Sequence, residues 1–151
     1  MNISIGSDHA GFELKSKIKE YLHNLNRPFD KIIINDRGTY TNESCNYTDY
    51  AHSVASDIVS KKSKFGILIC GTGNGINMTA NKWEDVRSAL CWKPEISEMA
   101  RLHNDANILT LPGRYITEED AFKCIDFFIK TKFEGGRHKN RVNSINLNKN
   151  D

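Results

Sequence analysis

Five short apolar runs, each separated from the next by a helical pattern, constrain this chain more than any other feature. The runs are Ile3 to Ile5, Ile32 to Ile34, Gly66 to Cys70, Ser88 to Cys91 and Asn107 to Leu111, all of strand length. Between the first two, SDHAGFELKSKIKEYLHNL keeps Phe12, Leu14, Ile18, Leu22 and Leu25 at helical spacing. YTDYAHSVASDIVSKK follows, with Thr48 as a possible cap and Tyr50, Ala51, Val54, Ile58 and Val59 along one side. INMTANK reads as a short helix, and Pro94 opens PEISEMARLHN. Thr117 starts TEEDAFKCIDFFIKT, with Asp120 three residues on in a capping-box arrangement. A last helix is expected at about 137–146, with a frayed tail over 147–151.

This alternation predicts an α/β fold with a five-stranded parallel sheet covered by helices on both faces. No linker or repeat interrupts it, so residues 1–151 are expected to form one domain. With 38% hydrophobic and 26% charged residues, the chain can bury a core. No apolar stretch has membrane-spanning length and the first residues lack a secretory layout, so a cytoplasmic protein with no membrane partner is expected. The four cysteines, Cys45, Cys70, Cys91 and Cys124, form no CxxC pair, which indicates neither a zinc site nor a disulfide framework. Net charge is +2, with a basic excess after Lys130. That segment is short and has only Phe133 to interleave, so it suits a small phosphate ligand better than nucleic acid.

In such sheets the loops at the carboxyl ends of the strands carry the ligand. Here those ends hold Ser7-Asp8-His9, then Asp36 with a loop leading to Tyr47, then Cys70-Gly71-Thr72-Gly73-Asn74-Gly75, and finally Pro112-Gly113-Arg114. A glycine-rich turn from strand to helix aims several N–H groups at one spot, ready for a phosphate or a developing oxyanion. GTGNG is not the dinucleotide fingerprint, and Cys91-Trp92-Lys93 stands where a ribose-binding acid belongs, so no nicotinamide cofactor is expected. A thiol set among such N–H groups is expected to have a lowered pKa and to serve as base or nucleophile. His103 and Asn104 end the fourth helix, while Arg137 and Arg141 share one helical face beside His138, a pattern able to grip phosphate.

The strings GSDHAGFELK, ILICGTGNG, ANK, ALC, HNDAN, LPGR and FEGGRHKNRV occur in that order over nearly the whole chain. In order and spacing they resemble the ribose-5-phosphate isomerases of the B type, a superfamily shared with galactose-6-phosphate isomerase subunits. The resemblance implies a Rossmann-like three-layer α/β/α sandwich. It also implies a homodimer, or a tetramer of such dimers, with active sites built across the interface. The implied reaction is the interconversion of ribose 5-phosphate and ribulose 5-phosphate through an enediolate, without metal or cofactor. The family has two versions of the base, a cysteine ending the third strand or a glutamate just after the glycine loop; Cys70 and Ile76 occupy those positions.

By matching motif, Asp8 and His9 would contact the sugar and phosphate ends, and Tyr47 would line the ring site. His103 and Asn104 would reach in from the partner to open the ring, assisted by Asp8. Arg114, Arg137 and Arg141 would hold the phosphate with His138. Gly71, Gly73 and Gly75 would present amides to the enediolate, Thr72 would shuttle a proton, and Asn74 would hold a hydroxyl. Two departures stand out: the usual D-Y-P-D-Y-A reads Asn46-Tyr47-Thr48-Asp49-Tyr50-Ala51, and the preceding loop GTYTNESCNY is unusual. The alternatives are an isomerase of a six-carbon sugar phosphate, such as allose 6-phosphate or galactose 6-phosphate, and a non-catalytic phosphosugar-binding regulator. The latter need not keep Cys70, Thr72 and His103 together.

Overall fold

A computed structural model describes residues 1–25 and 31–146; the tail expected to fray, 147–151, lies outside the described residues. The strands are β1 (Asn2–Ser7), β2 (Ile33–Asp36), β3 (Phe65–Cys70), β4 (Ser88–Leu90) and β5 (Ile108–Pro112). The helices are α1 (Phe12–Asn24), α2 (Tyr47–Val59), α3 (Asn74–Ala80), α4 (Pro94–Asn104), α5 (Glu118–Lys130) and α6 (Arg137–Asn143). All five expected strands are present, with bounds shifted by at most two residues. All strand pairs are parallel, in the order β2-β1-β3-β5-β4.

The alternation of side chains along β3 shows how the layers form. Phe65, Ile67 and Ile69 pack with Ile18 and Leu22 of α1, Ala100 of α4 and Phe128 of α5. Leu68 and Cys70 point the other way, against Val54 and Ile58 of α2 and Ile76 and Ala80 of α3. Both faces of the sheet are therefore covered, which is why its strands read as unbroken apolar runs.

Capping chemistry sets the helix starts, and it departs from expectation in two places. Thr117 does cap α5, its hydroxyl accepting from the Asp120 N–H at 3.1 Å. For α2 the cap is Asn46, whose side chain accepts from the Thr48 N–H at 3.2 Å, so Thr48 lies inside the helix. Asp8 caps a single 3-10 turn, His9–Gly11, and α1 starts only after it. Helix α6 stops at Asn143, short of the expected 146.

Sequence patterning did not reveal a buried polar network near the end of α2. Asp57 is 4% exposed and accepts from the Arg37 Nε at 2.6 Å and from the Ser4 hydroxyl. Burial alone would raise this carboxyl, but the hydrogen bonds from Arg37 and Ser4 outweigh it and hold the group below the ordinary carboxylate range. Asp36 behaves alike: burial works upward, while hydrogen bonds from Lys15, Lys19 and the Gly38 N–H bring it down. A folded-state value below the unfolded one stabilises the protein above the unfolded pKa, near 3.9, and is lost as pH falls through the folded value. Thermal melts should therefore show midpoints falling below about pH 4, and Asp57→Asn should flatten part of that fall. An equally steep acid limb in the variant would remove Asp57 from the account.

Candidate active site

The chain leaves β1 toward α1 on one face and leaves β3 toward α3 on the other, although β1 and β3 are neighbours. This divergence opens a crevice at their carboxyl ends, the place where open α/β sheets bind ligands. Asp8 lies at one lip, 6% exposed, its Oδ1 accepting from the Gly11 N–H at 3.1 Å. Cys70 lies at the other, 5% exposed.

The backbone N–H groups of Ile76, Gly73 and Thr72 favour the ionised form of the Cys70 sulfur. The expected lowering of its pKa does not occur. Burial pushes the thiol above its ordinary range; the Ile76 and Gly73 amides oppose this, the Asp8 charge adds to it, and the Thr72 amide opposes it more weakly. Sequence shows the donors but not how far the sulfur is removed from water, and the second effect wins. Helix α3 has only seven residues, so the donors act as local amides.

The loop reaches this geometry through Gly73, which caps α3 at φ 76 and has Leu90 packed where a Cβ would sit. The unusual loop before α2 also has a definite position. Its Cys45 N–H donates to Nδ1 of His9 at 3.3 Å, and the buried Lys15 ammonium donates to the Thr39 carbonyl at 2.7 Å. Tyr47 thereby starts α2 with its ring against Gly75, so close that a Cβ there would come within 2.5 Å of it. Thr72 and Asn74 are exposed and line an open cleft of about 410 Å³ with Leu90, Trp92, Pro112 and Tyr115. Trp92 and Tyr115, half and largely exposed, were not among the expected site residues. The Arg114 side chain lies beside Gly71, whose carbonyl accepts from the Arg114 backbone N–H at 3.0 Å.

The remaining expected residues gather elsewhere. Helix α4 starts at the carboxyl end of β4 and runs back to the amino end of β5, an 11-residue return of about 16 Å. His103 and Asn104 are its last residues, next to Asp105, which bonds Arg87 at the amino end of β4. Helix α5 makes a similar return from β5, and α6 docks against α4 there, where His138 stacks on His103 with ring centroids 4.3 Å apart. Burial, then His103 and Arg137, push the His138 imidazole below its ordinary value. Arg137 donates to its Nε2 at 3.4 Å, and Arg141 is exposed on the same short helix. Within one chain, then, Asp8, His9, Tyr47, Cys70, Thr72, Asn74 and Arg114 occupy the carboxyl edge of the sheet. His103, Asn104, Arg137, His138 and Arg141 occupy the amino edge.

Residues 3–145 match the family model described as Ribose/Galactose Isomerase. The chain belongs to this family. Among its isomerase relatives, ribose-5-phosphate isomerase B of Escherichia coli is 38% identical over 143 residues, covering 95% of this chain and 93% of that protein. The crystal structure of a ribose 5-phosphate isomerase from Thermotoga maritima superposes with a TM-score of 0.91 at 49% identity, covering 95% of this chain and 96% of that one. The ribose-5-phosphate isomerase B of Mycoplasma genitalium with bound ribulose-5-phosphate gives 0.87 at 39% identity, covering 95% and 93%. The Rossmann-like isomerase sandwich expected from the motifs is thus the fold observed. Among the described residues, no helix is long and apolar enough to cross a membrane.

Proposed function

We propose that this chain interconverts ribose 5-phosphate and ribulose 5-phosphate at a site completed by a second copy, with Cys70 as the proton-transferring base. The observation that carries the reading is the place of Cys70, buried at the end of β3 in the β1/β3 crevice with Asp8 at the opposite lip and the glycine-rich turn directly after it. The names of the relatives supply the substrate class.

The sugar phosphate binds mainly as a closed ring, and His103 of a second copy, with Asp8, moves the protons that open it. The Cys70 thiolate then takes the proton from C2 of the open aldehyde, leaving an enediolate, and returns that proton to C1. Thr72 carries the proton between the two oxygens, and Asn74 holds a hydroxyl. Amides of Gly71 to Gly75 stabilise the negative charge, each donor contributing roughly 3 kcal/mol in a dry site. Phosphate contacts from His9, Arg114, Arg137, His138 and Arg141, drawn from both copies, orient the reacting carbons.

The raised thiol pKa fits a base that must remove hydrogen from carbon. Fewer molecules are ionised near neutrality, but each thiolate is a stronger base. The sign of the pH dependence follows. The active form is the deprotonated one, so kcat/KM should climb with pH and reach half its limit above the ordinary thiol value of about 8.5. A plateau already reached at neutral pH would contradict a buried thiol base.

The direct test is an assay of the purified protein for ketose formation from ribose 5-phosphate, with allose 6-phosphate and galactose 6-phosphate in parallel. Turnover of the pentose is expected. Preference for a six-carbon substrate would keep the chemistry and change the substrate, whereas turnover of none would leave a binding protein.

A further inference from the structure

The link between α5 and α6 crosses the end of α4, where the Glu134 N–H donates to the Leu102 carbonyl at 3.0 Å. That bond sets Glu134 beside His103, and the stacking of His138 on His103 brings a second imidazole to the same place. One carboxylate oxygen of Glu134 lies 3.8 Å from Nε2 of His103 and 3.7 Å from Nε2 of His138. The donor atoms of the three residues all lie within 4.8 Å of one another.

We propose that His103, Glu134 and His138 form a binding site for a divalent transition-metal cation of the zinc class. Two imidazoles and one carboxylate are a donor set that zinc accepts, with its fourth position left to water. Bonds of about 2.0–2.1 Å in a tetrahedron place ligand atoms roughly 3.3 Å apart, so the cluster must contract modestly. Room for this lies on the exposed side: His103 is 35% and Glu134 53% exposed, while His138, at 8%, is packed. The two rings lie 12° from parallel and must open toward each other, because each nitrogen lone pair lies in its own ring plane.

Arg137 opposes the cation. Its Nε donates to the same His138 nitrogen at 3.4 Å, so guanidinium and metal compete for one lone pair. Occupancy takes the Nε2 of His103 as well. This consequence, unlike the binding itself, rests on the proposed function: a bound cation withdraws the ring-opening group and inhibits the isomerase.

Calorimetric titration of zinc chloride into the intact, chelator-stripped protein should show one ion per chain. Glu134→Gln, at an exposed position, should weaken it roughly tenfold or more, and Arg137→Gln should tighten it. Cobalt(II) in place of zinc should give the visible absorption of a four-coordinate N/O site. No binding by the parent, affinity in Glu134→Gln within about twofold of the parent, or weaker binding in Arg137→Gln would each overturn the site. Binding without inhibition of turnover would leave the site standing and count against the ring-opening place of His103.

Discussion

Cys70→Ala is expected to lower turnover by about a thousandfold while inorganic phosphate inhibits variant and parent equally. The asymmetry follows from where the sulfur sits. It faces the α2/α3 layer at the base of the crevice and is 5% exposed, whereas the guanidinium groups stand at the rim and at the far edge. Removing one buried sulfur should cost the fold only about 1 kcal/mol, so a folded and inactive variant is the expected outcome. Thermal denaturation beside the assay separates the two effects. A variant keeping more than about a tenth of parental turnover would exclude Cys70 as the base.

Restoration of activity from two inactive variants is the second large effect expected. One chain holds Cys70 at the carboxyl edge of its sheet and His103 at the amino edge, joined by the length of α4. If each site takes one edge from each copy, Cys70→Ala and His103→Ala both fail alone. Co-expressed, about half of the dimers are mixed, and each mixed dimer contains one undamaged site of two, so about a quarter of parental activity returns. No recovery, in mixtures shown by mass to contain mixed dimers, would mean that a single chain supplies both groups.

The residues that proved legible in the sequence share one property: their position follows from chain direction. ILIC ends a strand buried on both faces, so the thiol and the glycines after it had to stand at the carboxyl edge, as did Asp8, Tyr47 and Arg114. The same logic could have placed His103, since an 11-residue helix returning to the next parallel strand ends at the opposite edge. By the same logic Arg114 stands apart from Arg137 and Arg141 within one chain, so a single grip made of all three takes residues from two copies. Properties set by competition were not legible. Donor amides and burial pull the Cys70 thiol in opposite directions, and only packing decides between them. Glu134 was overlooked because a glutamate in a basic segment looks like surface; its contact with His103 depends on how a loop crosses a helix end. Asp57 was overlooked for a similar reason, its partners being Ser4 and Arg37 from distant segments.

Ile76, fully buried among the side chains of α2 and α3, is also the residue whose N–H most favours the ionised Cys70 sulfur. Its side chain and its amide therefore bind positions 70 and 76 into one unit. A glutamate at 76 alone would drive a carboxylate into hydrocarbon near a thiol and Asp8, so a polar residue there is tolerated only if position 70 changes with it.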